Sequence, residues 1–264
     1  MRTAIALGLT AAVFTLITGC DQKTAQASSP PTAAQADALH FADGMPRFDR
    51  SPGEKGYWDM PSVSTVVESG VKVDIDANGK LRNPDDAAKV APFQPWALAL
   101  FKFRQANDFK DDPMKVCIGP GLPRQMHTPG GMRILQDRNY KRAYLIFGGG
   151  NHTWRTIYLD GRDPPNPEEV TGTFFGLSVG HYDKDALIAD SIGFNTRFWM
   201  SNSGLPHTEA LHVTETFKRP SHDVLEYEVT IDDPRTYTRP WKSAWTMHWV
   251  PGDIPEQYCE TGRT

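Results

Sequence analysis

From Pro123 onward the apolar residues of this chain recur at every second position, and that alternation constrains the fold more than any other feature of the sequence. Successive side chains of a strand point to opposite faces, so a period of two marks segments with one buried and one solvated face. Eight segments carry it: Met132–Asp137, Arg142–Phe147, Trp154–Leu159, Thr171–Val179, Ala186–Ser191, Leu211–Phe217, Val224–Ile231 and Ala244–Val250. Turn-forming clusters separate them, among them Gly148-Gly149-Gly150-Asn151, Asp160-Gly161-Arg162, Asp183-Lys184-Asp185 and Asp232-Asp233-Pro234. Strands that follow one another through short turns pair antiparallel, in a meander that closes as a barrel or folds as a sandwich. Twenty-two glycines and 21 prolines suit such a turn-rich, all-β chain. Gly148-Gly149-Gly150 is no phosphate loop, because neither a G-x-x-x-x-G-K string nor a helix follows it.

The N-terminus gives an address. An apolar run from Ala4 to Ile17 follows Arg2 and ends in Leu16-Ile17-Thr18-Gly19-Cys20. The run is shorter than the roughly 20 residues that cross a bilayer and has the size of a signal-peptide core. The small residue before Cys20 suits cleavage there and lipidation of the thiol. Residues 1–19 are therefore expected to be a lipoprotein signal peptide, and Cys20 the lipid anchor to a bacterial membrane, with the chain facing the periplasm. Asp21 resembles an inner-membrane retention signal and leaves the choice of membrane open. Export takes the chain away from the nucleotide cofactors of the cytoplasm, and no cofactor is expected. Ala, Gln, Ser, Thr and Pro dominate residues 21–45, too little apolar surface to offset ordering entropy, so 20–45 reads as anchor and flexible tether and 46–264 as one β-rich domain.

Of three cysteines the lipid takes one, and in an oxidising compartment the other two, Cys117 and Cys259, can form a disulfide, the alternative being two buried free thiols. A net charge of −4 without a basic block excludes a nucleic-acid partner, and 39% hydrophobic residues are enough for a core.

Before the strands, Asp74, Asp76, Asn78 and Gly79 match the first half of a calcium loop, but Asp85 stands at its twelfth position and Pro84 disrupts the exit. An Asn-Gly turn in a β-hairpin explains the same residues better. Asn83-Pro84-Asp85-Asp86 predicts a capped helix start. A second helix, Trp96 to about Ala106, places Trp96, Leu100 and Phe103 at helical spacing, which reads as a core face.

The stretch from Cys117 to Cys259 resembles a family of exported bacterial proteins. The matching residues are Cys-Ile-Gly-Pro-Gly-Leu-Pro-Arg (117–124), Trp-Arg-Thr-Ile-Tyr-Leu-Asp-Gly-Arg (154–162), Gly-His-Tyr-Asp-Lys-Asp-Ala-Leu-Ile-Ala-Asp (180–190), Gly-Phe-Asn (193–195), Pro-His-Thr-Glu-Ala-Leu-His-Val-Thr-Glu (206–215) and Thr-Ile-Asp-Asp-Pro-Arg-Thr-Tyr-Thr-Arg-Pro-Trp (230–241). Family members more often carry Trp-Glu-Gly-Asp-Thr where this chain has Tyr182-Asp183-Lys184-Asp185-Ala186. The resemblance implies export and lends no reaction. Gly56-Tyr57-Trp58 ahead of the meander is similar to the Gly-x-Trp opening of lipocalin-type barrels. That likeness implies a lipocalin-like (calycin-like) barrel rather than a sandwich, filled by side chains or holding one small ligand.

Glu215 is the sharpest candidate for chemistry. It shares strand parity with Leu211, Val213 and Phe217, so it faces the interior and needs a partner there. Arg155, in the row of Ile157 and Leu159, is that partner by the same argument, and Asp190 follows Ile188 in like manner. His181 and His207 supply groups that exchange protons near neutral pH, and Tyr237 is a further candidate. His207, Glu209, His212 and Glu215 lack the helical H-E-x-x-H spacing, so no metal is expected. Ser178 fits G-x-S-x-G, but strand follows strand there, which excludes a nucleophile elbow. Two functions follow. One is a cofactor-independent acid/base lyase or isomerase acting on a small hydrophobic or aromatic molecule. The other is a non-catalytic ligand-binding or structural lipoprotein of the envelope, in which the same charges are ion pairs.

Overall fold

The computed structural model describes residues 39–50, 54–61 and 66–260. The expected signal peptide, Cys20 and the tether up to residue 38 lie outside the described residues. Among the described residues nine strands close into one barrel: β1 (Tyr57–Asp59), β2 (Met132–Asp137), β3 (Arg142–Phe147), β4 (Trp154–Tyr158), β5 (Leu177–Asp183), β6 (Ala186–Ile192), β7 (His212–Ser221), β8 (Val224–Asp232) and β9 (Trp241–Val250). The fold is all-β, as the alternation predicts, and β2 and β3 occupy the expected residues.

Closure depends on β1, which pairs with β9 through Tyr57↔Val250, Trp58↔Trp249 and Asp59↔His248 and with β2 through Trp58↔Met132. Trp58 points inward, fully buried, with its ring edge-on to Trp249 at 5.2 Å. A Cβ at Gly56 would stand 2.3 Å from the Trp249 indole, so only glycine lets the chain enter β1 here. The Gly-x-Trp string therefore has a local physical basis in this barrel.

One strand pair departs from the expected antiparallel meander. β4 and β5 run parallel and pair only at Ile157↔Ser178 and Tyr158↔Val179. The cause lies in the connection: the strand expected over Thr171–Val179 begins only at Leu177. Gly176 turns the chain with φ +64°, and Thr173 instead bridges Phe194. β5 then reaches Asp183 and turns into β6 at Lys184, in the expected turn.

Inward parity builds the core. Leu145, Leu187, Val213, Phe217, Val229 and Met247 are all fully buried inside the barrel. At one end, helix α1 (Pro95–Ala106) and the segment before it cover the β8–β9 connection: Gln94 N–H donates to Thr236 O (2.8 Å), Thr238 N–H donates to Pro92 O (2.8 Å), and Phe93 lies between Phe101 and Tyr237.

The core face expected for this helix is corrected. Trp96 and Phe103 are 45% and 58% exposed, and the buried row is Ala97, Phe101 and Gln105. Gln105 can be buried because its amide is satisfied: Leu81 N–H donates to its Oε1, and its Nε2 donates to Gly79 O and Ser203 O. Trp96 instead keeps its Nε1–H on Arg235 O at 2.7 Å.

The expected hairpin is present as the bridge Ile75↔Leu81, with the Asp76 carboxylate accepting from Asn78 N–H (2.8 Å) and Lys80 N–H (3.0 Å). Asn83 caps the short 3-10 helix Pro84–Lys89.

At the opposite end of the barrel the chain before β1 crosses the mouth. Gln136, inward on β2, holds it there, its Oε1 accepting from Phe48 N–H and its Nε2 donating to Pro46 O. Residues 39–45, expected to finish the tether, belong to this cover. Phe41 carries the Arg47 and Arg138 guanidinium groups at 5.2 and 4.7 Å, an anchor that the average composition of the segment conceals.

Cys117 and Cys259 are joined at a Cα–Cα distance of 5.5 Å, closing a separation of 142 residues. In the chain-entropy account such a closure stabilises by about 5 kcal/mol. It ties the C-terminal segment to the end of the 3-10 helix Pro113–Val116 ahead of β2, and next to it Gln257 N–H donates to His152 Nε2 at 2.6 Å.

Candidate functional site

A polar centre lies midway within the barrel. Arg155 on β4 and Glu215 on β7 both point inward, as their parity predicts, and their side chains are 1% and 0% exposed. The guanidinium meets the carboxylate with two parallel hydrogen bonds. Nη1 donates to Oε1 at 2.9 Å, and Nη2 donates to Oε2. Nε and Nη2 also donate to Ser178 Oγ (3.1 and 3.0 Å), and Nη2 to Ser191 Oγ (3.0 Å). Tyr227 on β8 donates its hydroxyl to Glu215 Oε1 at 2.8 Å.

A buried ion pair offsets its desolvation only with such geometry, two-pronged and backed by further donors. Burial, and after it the adjacent Glu215 charge, push the Tyr227 phenol well above its ordinary pKa, so Tyr227 stays a donor. Tyr227, Ser178 and Ser191 are not among the residues that the sequence singles out for this centre. Their alternation with apolar neighbours on β8, β5 and β6 places them inward, which is the signal that finds them.

The other candidates do not join this centre. His181 is exposed on the outer face of β5. Asp190 is corrected: on β6 the inward residues are Leu187, Ala189 and Ser191, so Ile188 and Asp190 face outward. Asp190 accepts there from Thr214 Oγ1 (2.7 Å) and pairs with His212 (3.1 Å), an exposed contact between neighbouring strands. His207 precedes β7 and sits at the α1 end, with Nε2 3.1 Å from Phe198 O, Nδ1 3.1 Å from Thr208 O, and its ring 4.2 Å from that of Phe198. Burial lowers its pKa. Tyr237 is buried, donates to Pro206 O at 2.9 Å and packs on Trp241. Ser178 stands within β5, strand leading to strand, and serves Arg155 rather than a nucleophile elbow.

His127, which sequence reasoning passes over, is 2% exposed and packs edge-on against Trp245 at 5.5 Å. Burial, with the Arg124 charge adding to it, brings its pKa down to about 3.

Open volume lies elsewhere. Neither Arg155 nor Glu215 lines any of five grooves formed by the described residues. The largest of these, about 350 Å³, runs over the outer face of β7–β9 between Thr216, Lys218, Glu226, Glu228 and Thr246. A histidine–carboxylate pair does border open volume: His40 Nε2 and Asp185 Oδ1, 2.8 Å apart, line a groove of about 260 Å³ at the mouth. With Asp185 79% exposed, that pair is solvated and lacks the dry surroundings that tune an acid/base group. Among the described residues no group of three or more His, Cys, Asp or Glu is arranged to hold a metal ion. Comparison of the chain with family models, curated proteins and solved structures finds no match in any of the three.

Proposed function

We propose that the chain is a non-catalytic lipoprotein of the bacterial envelope, held to the membrane by lipid on Cys20, with a side-chain-filled barrel that serves as a rigid scaffold and binds small hydrophobic or aromatic molecules outside its lumen. The observation that carries this reading is the occupation of Glu215. A general base must come within about 2.6–3.2 Å of the proton that it takes, in space that a substrate can enter. Both Glu215 oxygens are instead engaged by Arg155 and Tyr227, and the groups around them close the centre. The lyase or isomerase reading needs the same carboxylate free.

Complementation of a deletion strain separates the two. The double variant Arg155→Met/Glu215→Leu removes both charges together and keeps the interior apolar. A scaffold and binding role expects it to restore the wild-type metabolite profile as the wild-type gene does. An acid/base enzyme expects the profile of the deletion to persist although the variant protein is present and folded. For the anchor, Cys20→Ala is expected to move the protein from the membrane to the soluble fraction.

A further inference from the structure

The parallel seam between β4 and β5 leaves a notch in the barrel rim. The two strands share only two residue pairs, and the next residue, Leu159, continues the pairing with the β2–β3 hairpin by donating its N–H to Lys141 O at 2.8 Å. Tyr182, two residues beyond Gly180 on β5, pairs with Leu187 of β6 on one side and has no β4 partner on the other among the described residues. The resulting cavity of about 310 Å³ is bounded by Met45, Leu159 and Tyr182 on its apolar side and by Arg138, Lys141 and Arg142 of the β2–β3 hairpin on its charged side. Its size is at the lower end of small-molecule sites.

Three cations and two acids line the notch, so its formal charge is positive: Asp43 pairs with Arg138, and Asp137 accepts a backbone hydrogen bond from Tyr140 N–H at 3.1 Å. Three donors are left over among the described residues. Arg142 Nε has no hydrogen-bond partner among them, and its guanidinium overlies the Tyr158 ring at 5.1 Å. Lys141 has no ion pair among the described residues, and its backbone at φ +49° holds it at the hairpin end. The Tyr182 oxygen accepts from Gln136 Nε2 at 2.8 Å, which leaves its own proton without an acceptor among the described residues. Burial raises the Tyr182 pKa, so that proton stays in place at neutral pH.

We propose that this notch binds a small amphipathic anion, a carboxylate or similar acid group on an aromatic or short aliphatic body. The acid group sits between Lys141, Arg142 and the Tyr182 hydroxyl, and the body lies against Met45 and Leu159. The proposal deepens the binding reading above and rests on it.

The test is isothermal titration of the full mature chain with naphthoate and with its neutral counterpart naphthamide. Naphthoate is expected to bind at one site, and naphthamide at least about tenfold more weakly, because each hydrogen bond to a charged group contributes about 1.5–3 kcal/mol. Lys141→Gln/Arg142→Gln is expected to weaken naphthoate by at least about tenfold, leaving naphthamide unchanged. Tyr182→Phe, which removes a single hydroxyl, is expected to weaken naphthoate about threefold or more while the chain still unfolds in one cooperative transition. Equal naphthoate affinity in wild type and both variants overturns the site and leaves the binding reading standing. Absence of heat with either compound on the wild-type chain overturns the site and the binding reading together.

Discussion

The Arg155–Glu215 centre and the rim notch by Tyr182 are built from the same kinds of group, an arginine, a tyrosine hydroxyl and carboxylates, yet they differ in what those groups have left to offer. Inside the barrel the arginine has a carboxylate on two of its nitrogens and the tyrosine has an acceptor. At the rim Asp43 pairs with Arg138, and among the described residues the Arg142 guanidinium and the Tyr182 hydroxyl proton are left over. The difference teaches that burial alone does not mark a functional charge. A buried charge that has found its partners holds the structure, whereas an incompletely partnered donor at open volume is available to a ligand.

The largest effect expected from this contrast is inside. Glu215→Gln leaves the Arg155 guanidinium buried without its counter-charge and is expected to cost about 3–5 kcal/mol of stability in urea unfolding. A change of that size at a carboxylate with no role at the rim separates the regions clearly. Next comes acid sensitivity of the interior. His127 must stay neutral in the fold, with its pKa about 3, against about 6.5 when unfolded. The unfolded chain therefore binds the extra proton between these values. The stability from neutral His127 is complete above about pH 6.5 and is lost by up to about 1.4 kcal/mol per pH unit as pH falls toward 3. His127→Phe is expected to flatten that slope in unfolding curves taken from pH 7 to about 4, and an unchanged slope would remove His127 from the account. The smallest stability effect is expected at the rim, where Lys141→Gln/Arg142→Gln should alter unfolding by no more than about 1 kcal/mol, the scale of the Arg142–Tyr158 contact. A larger loss there would make the hairpin charges structural and erase the contrast.

The same contrast explains what can be read from the sequence. Arg155 and Glu215 are legible as inward partners because each sits in a row of apolar residues at strand spacing, and the β2 and β3 boundaries follow from the same alternation. Cys117 and Cys259 are legible from cysteine count. Asp190 misleads because β6 is apolar on both faces: Ile188 on its outer side mimics the inward row of Leu187 and Ala189. Trp96 and Phe103 mislead because the helix buries a glutamine, and a satisfied amide leaves no trace in hydrophobic periodicity. The parallel seam, and with it the rim notch, depends on a long connection whose Thr171-Gly172-Thr173-Phe174-Phe175 stretch has strand composition but ends at a left-handed glycine. Residues brought together by that crossover, Lys141, Leu159 and Tyr182, have no sequence spacing that announces them.

The claim that the barrel's polar centre is structural is tested most directly by a double-mutant cycle on Arg155 and Glu215, read as unfolding free energy in urea. Arg155→Met and Glu215→Gln are each expected to cost about 3–5 kcal/mol. Arg155→Met/Glu215→Leu, which leaves no buried charge, is expected to cost clearly less than the two single losses added together. If Glu215→Gln leaves stability within about 0.5 kcal/mol of wild type, or the losses simply add, the pair does not hold the barrel together and its structural assignment is contradicted.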